Sequence, residues 1–314
     1  MTNIFGLSFT EEDARLIILP VPWEVTVSYG SGTARAADRI LQASVQVDLY
    51  DAAGAGMYMR PVDNQLLMRS DYLRKEAQRY LQTGDPQALL EVNEGSAQLN
   101  AWVYEQTSAL LSKDKLVVLL GGDHSTGLGF LRALGERHGN FGILQIDAHC
   151  DLRVAYTQFT YSHASAIYNA LQECNQLERV VQVGIRDFSP EEWKFIEKSR
   201  SRVIPFPDPA LRERRFKGET WEVICNGIVD VLPPKVFLSF DVDGLDPKLC
   251  PGTGTPVPGG LDWEEVHYLC HKVLDSGRTL IGFDLMEVGP GEWDANVGAR
   301  LLWKLGNLLI RSNS

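Results

Sequence analysis

The chain has 314 residues, 44% hydrophobic and 23% charged, with 15 prolines, a composition that excludes global disorder and suits an ordered fold with a sizeable core. Its formal net charge of −11, from 41 acidic against 30 basic side chains, speaks against a nucleic-acid partner, which would need clustered Lys and Arg, and favours a small cationic ligand. The start MTNIFGLSFTEEDAR lacks a basic segment leading into an apolar run, and no apolar stretch approaches a membrane span, so neither a leader nor a membrane partner is expected. Five scattered cysteines without a CxxC pair fit reduced thiols and a cytoplasmic location.

Apolar runs at 15–22, 115–120, 141–147, 179–185, 235–241 and 279–285 predict strands. Helical patterns fall between them at 69–83, 87–112, 126–137, 163–174, 190–198, 217–231, 262–275 and 295–311. Strands apolar on both faces and alternating with helices indicate a parallel sheet covered on both sides, a three-layer α/β/α sandwich. No linker or repeat divides the chain, so 1–314 reads as a single domain with 51–112 as a helical elaboration.

Three of the predicted strands run into motifs rich in acid and histidine: VVLLGGDHSTG with His124, QIDAHCD with Asp147, His149 and Asp151, and FLSFDVDGLDP with Asp241 and Asp243. Open α/β sheets bind ligands beyond the carboxyl ends of their strands, so the three should meet in one crevice. Residues two apart on an extended chain face the same side, which directs Asp147, His149 and Asp151 together, does the same for Asp241 and Asp243, and turns Cys150 away. Four carboxylates and two imidazoles without thiolate suit two divalent ions, Mn²⁺ rather than structural Zn²⁺, because that much buried negative charge needs cations. Two such ions cancel the four carboxylates, and a bridging hydroxide would leave the site at net −1, which suits a cationic electrophile. His267 and His271 lie four apart on a helix, but the HExxH arrangement is absent and they read as surface or core residues. His138 reads as a helix C-terminal residue before Gly139.

GGDHS, DAHCD, SFDVDGLDP, PGTGTPVPGG and GFDLMEVGP stand in the order found in the ureohydrolases, and the chain resembles that family of arginases, agmatinases and formiminoglutamases over about residues 119–290. A looser likeness covers 21–44, similar to the substrate-side loop and first helix of agmatinases. The resemblance implies an arginase-like central sheet of about eight mostly parallel strands and a binuclear Mn²⁺ centre, with Ni²⁺ or another divalent ion as alternatives. It implies that His124, Asp147, Asp151 and Asp241 hold one ion and Asp147, His149, Asp241 and Asp243 the other. It further implies that Glu287 binds a guanidinium group, that His163 shuttles a proton to the departing amine, that Asp151 belongs with them in catalysis, and that Asp284 and Thr255 are supporting or substrate-loop residues. Family members are usually trimers or hexamers, so a homo-oligomer is expected.

DLRVAYTQFTYSHAS resembles the agmatinase form of its loop, which implies hydrolysis of agmatine to putrescine and urea. Guanidinobutyrate, guanidinopropionate, arginine, guanidine and formiminoglutamate are the alternatives. Arg153 bears on the choice: facing the pocket it would attract a carboxylate tail, whereas in a salt bridge beneath the loop it would be structural. A noncatalytic ligand-binding member is disfavoured because all six ligands, Glu287 and His163 are present. An amidohydrolase of the deacetylase type is disfavoured by PGTGTPVPGG and MEVGP.

Overall fold

The computed structural model describes residues 3–50 and 56–314, so the first residues of the expected elaboration, 51–55, lie outside the described residues. The first half of the chain runs β1 (Leu16–Val21), α1 (Ala36–Ser44), β2 (Met57–Met59), α2 (Asn64–Thr83), α3 (Pro86–Leu111), β3 (Leu116–Gly121), α4 (Leu128–His138) and β4 (Phe141–Ile146). The second half runs α5 (Ala166–Glu173), β5 (Leu177–Val183), α6 (Pro190–Lys198), β6 (Val203–Phe206), α7 (Asp208–Phe216), α8 (Trp221–Asp230), β7 (Lys235–Asp241), α9 (Trp263–Asp275), β8 (Thr279–Met286) and α10 (Glu292–Ser312).

The strands form one sheet in the order β2-β1-β3-β8-β7-β4-β5-β6. Every pairing is parallel, where a mostly parallel sheet was expected. Alternate side chains point to opposite faces. Ile18, Val118, Leu120, Leu144, Leu238 and Leu285 pack beneath α1, α8, α9 and α10. Ile17, Leu19, Val117, Leu119, Ile143 and Phe237 pack beneath α2 to α6. Each such side chain contributes about 1.5–3 kcal/mol on burial, enough to hold a three-layer sandwich around the sheet.

Four elements carry too weak a pattern for the strand and helix signals read above. β2 has 3 residues and β6 has 4, one of them Pro205, and both lie at sheet edges where half-exposed side chains blur the apolar run. α7 buries only Asp208 and Leu211 in a highly charged segment, and α1 was anticipated only through the resemblance over 21–44. Segment 51–112 is therefore not wholly helical, because β2 extends the sheet beside β1. The four strands that carry the motifs, β3, β8, β7 and β4, are neighbours at the centre of the sheet. Being parallel, they bring all their carboxyl ends to one edge.

Candidate metal centre

Beyond β3 the chain turns through Gly122, where any Cβ would collide with the Trp23 backbone, and Asp123 caps the 3-10 turn His124–Gly127 by accepting from Ser125 N–H. That turn delivers His124. Its Nε2 lies 2.9 Å from Ser239 Oγ, which donates to Asp284 Oδ1 at 3.0 Å. The Ser239 oxygen therefore accepts from His124 Nε2–H, which turns Nδ1 toward the carboxylates; they hold this imidazole protonated in the metal-free site, and Nδ1 becomes a metal ligand once a cation displaces that proton.

His124 Nδ1 sits 3.1 Å from Asp147 Oδ2, 3.0 Å from Asp151 Oδ2 and 3.3 Å from Asp241 Oδ2. A second group lies alongside: His149 Nδ1 is 3.0 Å from Asp243 Oδ2 and 3.6 Å from Asp147 Oδ1. Asp147 belongs to both groups. The six candidate residues thus converge, though not all by strand alternation. Asp151 reaches the centre from a left-handed backbone (φ 53°), and Asp243 lies in a 3-10 turn after β7, its N–H bonded to Asp241 Oδ1 at 2.9 Å. Cys150 is buried in the apolar cluster on the α2 to α6 side of the sheet.

Of the support beneath the ligands, the family motifs pointed to Asp284 but not to Ser239, Gln145 or Gln182. Gln145 is a buried residue of β4 that donates to Asp147 Oδ2 at 2.8 Å and is itself held by Gln182 of β5 at 2.7 Å. A single polar residue inside an apolar run, such as Gln145 or Ser239, signals a partner at the strand end, because a buried polar group must be paired.

Glu287 follows β8 in a left-handed conformation (φ 59°), which costs a non-glycine residue about 1–2 kcal/mol. Its N–H bonds to Gly122 O at 3.0 Å, and its Oε1 accepts from His124 N–H at 3.0 Å. Oε2 is buried without a hydrogen-bond partner.

Burial and the neighbouring Asp243 and Asp147 hold the Asp241 carboxyl well above its ordinary range. Burial, with Asp241 and Asp123 nearby, does the same to Glu287. Burial and Asp147 lift Asp151 to about 7. Burial alone would depress the His149 imidazole, but Asp243 and Asp147 raise it to about 12. Such crowding of like charge around imidazoles whose Nδ1 atoms face inward is the donor chemistry of a divalent-cation site, so the residues fit two ions.

This crowding has a measurable consequence. Asp151 at about 7 and Asp284 at about 6 are raised above their unfolded values, so the native state binds more protons than the unfolded chain between about pH 4 and 7 and loses stability as pH rises through that window. His163, lowered to about 4, opposes this below its unfolded value, while His149 extends the loss above neutrality. The metal-free protein is expected to melt at a lower temperature at pH 8 than at pH 5.5, and Mn²⁺ should narrow the difference. Thermal unfolding at the two pH values checks this; a higher metal-free Tm at pH 8 would contradict it.

Above the cluster lies a cavity of about 160 Å³ walled by Ser28, Arg153, Tyr156, His163, Asp187 and Thr255, among others. Burial, followed by the cationic His149 and His124, holds His163 at about 4, so it is a neutral imidazole near pH 7. The backbone N–H of His163 donates to Thr26 Oγ1 at 3.1 Å, and its ring Nδ1 lies 3.3 Å from the same oxygen. Thr255 Oγ1 donates to Asp243 Oδ2 at 3.3 Å. Arg153 both faces the cavity and is tethered: Nε is 3.5 Å from Glu192 Oε2, and the guanidinium lies 4.6 Å from the centre of the Tyr156 ring. Glu192 is buried, caps α6 through Ser189 N–H and accepts from Leu152 N–H at 3.1 Å. Asp187, with a side chain 69% exposed, stands at the mouth 4.0 Å from His149 Nε2.

The sequence profile of the arginase family matches residues 14–306. The chain belongs to the arginase family. An N(1)-aminopropylagmatine ureohydrolase of Thermus thermophilus is 31% identical over 314 residues, spanning 96% of this chain and 92% of that protein. An agmatinase of Bacillus cereus is 27% identical over 288 residues, spanning 89% and 85%. Among solved structures, the agmatine ureohydrolase of Thermoplasma volcanium superposes with a TM-score of 0.76 at 24% identity, covering 99% of this chain and 95% of that one, a likeness of fold. This arginase-family chain is accordingly a metal-dependent C–N hydrolase of linear amidines. No helix among its described residues is long and apolar enough to cross a membrane.

Proposed function

We propose that the protein hydrolyses agmatine to putrescine and urea with two Mn²⁺ ions. The observation that carries this reading is the pair of inward-facing histidine Nδ1 atoms set among four buried aspartates, three of which line the cavity, with the unpartnered Glu287 Oε2 beside them. His124, Asp147, Asp151 and Asp241 would hold one ion, and Asp147, His149, Asp241 and Asp243 the other. When bound, the ions supply acidity to a water molecule near neutral pH.

The chain's own residues then have distinct tasks. Glu287 accepts hydrogen bonds from the planar guanidinium and fixes its carbon above the aspartates, a charge-assisted contact worth more than a neutral one. Asp151 takes the proton released at its carboxylate as the carbon–oxygen bond forms. Asp151 then gives its proton up to solvent, and His163, a neutral imidazole at the wall, takes one up from solvent and passes it to the nitrogen that leaves as the bond to the tail breaks. Water and a guanidinium cation thus give urea and an ammonium-bearing amine, with atoms and charge balanced.

The tail is selected at the mouth. Glu192 and Tyr156 offset the charge of Arg153, while Asp187 presents a carboxylate to solvent, so the rim favours a terminal ammonium. The names of the aminopropylagmatine ureohydrolase and agmatinase relatives point the same way. A carboxylate tail, as in guanidinobutyrate, is the second reading, because Arg153 does line the cavity. Asp187→Asn is expected to raise KM for agmatine about two- to fivefold, the size of an exposed ion pair, while leaving guanidinobutyrate unchanged or improved. Steady-state kinetics on both substrates decide; a wild type with higher kcat/KM for guanidinobutyrate than for agmatine, and an agmatine KM that Asp187→Asn leaves unchanged, would favour the second reading. We further propose a cytoplasmic homo-oligomer, trimeric or hexameric; the five free, buried cysteines fit a reducing compartment.

A further inference from the structure

Helices α2 and α3 carry none of the motifs on which the family likeness rests, yet they hold both loops that wall the cavity. On one side, buried Glu24 accepts from Gly32 N–H at 2.7 Å and Ala34 N–H at 3.0 Å and pairs with Arg74 of α2. Its own N–H donates to Ser70 Oγ of α2 at 2.9 Å. These contacts brace the stretch from 24 to 34 that contains Ser28.

On the other side, Asn93 of α3 spans the opposite loop. Its Nδ2 donates to Gln158 O at 3.2 Å and its Oδ1 accepts from Thr160 N–H at 2.9 Å. Between them Phe159 is buried and meets Tyr80 of α2 edge-on, ring centres 5.5 Å apart. The loop needs such a clamp. Ala155 (φ 44°), Thr157 (φ 50°) and Gln158 (φ 69°) all lie in the left-handed region without being glycine, a conformation that persists only when the surroundings impose it.

The strained loop carries the group that shapes the pocket. Tyr156 supports the Arg153 guanidinium and stands edge-on to His163, ring centres 6.2 Å apart. Tyr156 and Ser28 also border a second cavity of about 240 Å³ enclosed by α2 and the two loops. They are the partition between that cavity and the metal pocket.

We propose that Asn93 is a positioning residue for the substrate's tail: by bridging Gln158 and Thr160 it holds the strained 155–160 loop so that Tyr156 and Arg153 stay on the cavity wall. The inference rests on the guanidino-hydrolase reading above. Asn93 touches neither the candidate ligands nor the reacting atoms. Releasing its clamp lets Tyr156 relax toward the second cavity and removes the surface against which the tail is held, while the aspartates and histidines keep their places.

The test compares the Mn²⁺-loaded wild type with Asn93→Ala and Asn93→Asp, the latter keeping the acceptor for Thr160 N–H while losing the donor to Gln158 O. For Asn93→Ala, KM for agmatine, or for the member of the guanidino panel that wild type turns over best, should rise about tenfold with kcat within about threefold. Two ions should remain bound. Hydrogen exchange of the peptide covering 155–160, followed by mass spectrometry, should quicken at least about tenfold, and Asn93→Asp should fall between. Unchanged KM and exchange would overturn the proposal, as would a joint loss of kcat and bound metal, which would make Asn93 a support of the whole site. If wild type releases urea from no member of the panel, the hydrolase reading fails by itself. Exchange then decides the clamp alone: faster exchange upholds it, unchanged exchange removes it.

Discussion

Asp241→Asn is expected to cut urea release by at least about a thousandfold, roughly 4 kcal/mol of transition-state stabilisation, and to leave the protein with fewer than two bound ions. Asp241 Oδ2 lies 3.3 Å from His124 Nδ1, and Oδ1 accepts from Asp243 N–H at 2.9 Å. An asparagine oxygen can keep the second contact, so the turn after β7 survives while the charge that would hold the cations is lost. Stability should move the other way. Because burial, Asp243 and Asp147 keep the Asp241 carboxyl well above its ordinary range, the metal-free variant should melt higher than metal-free wild type at pH 8. Activity and metal content falling while apo stability rises is a pattern that general misfolding cannot produce. Calorimetry of both metal-free proteins, with metal analysis of the loaded ones, checks it; retained turnover or a lower apo Tm would count against the ligand assignment.

Glu287→Gln should separate substrate binding from metal binding. The amide can still accept from His124 N–H, a contact now 3.0 Å long, but it offers a guanidinium no opposite charge. Losing one partner of a buried charged pair costs about 2–3 kcal/mol, so kcat/KM should fall roughly 30- to 200-fold. Metal content should stay at two ions. Equal losses in activity and bound metal would instead place Glu287 among the ligands.

Much of this site was legible because its chemistry is concentrated in short motifs at strand ends. In DAHCD the residue types alone announced buried charge needing cations, and the parallel sheet carried those residues to the same edge as His124, Asp241 and Asp243. Alternation explained less than it promised. Asp151 and Asp243 arrive by left-handed and 3-10 backbone, which a period-two argument cannot anticipate.

The supports, Asp284 apart, were hidden for other reasons. Ser239 and Gln145 are single polar residues in apolar strands, and their partners Asp284 and Gln182 come from neighbouring strands. Arg74 reaches Glu24 across 50 positions, and Asn93 reaches Thr160 across 67. One sequence carries no record of such pairings until the fold is known. Arg153 is the instructive case: facing the cavity and lying in a salt bridge were alternatives on paper, and the structure has both, because Glu192 reaches it from the N-terminus of α6 while its guanidinium remains on the wall.

The central claim is that this binuclear centre cleaves the bond between a guanidino carbon and its tail nitrogen. The most direct measurement is quantitation of both products after incubating the Mn²⁺-loaded protein with agmatine. Urea and putrescine appearing in equal amounts, and disappearing when the metal is chelated, is the predicted result. Absence of urea from agmatine, guanidinobutyrate, guanidinopropionate, arginine and guanidine alike, in protein shown to hold two ions, would contradict it.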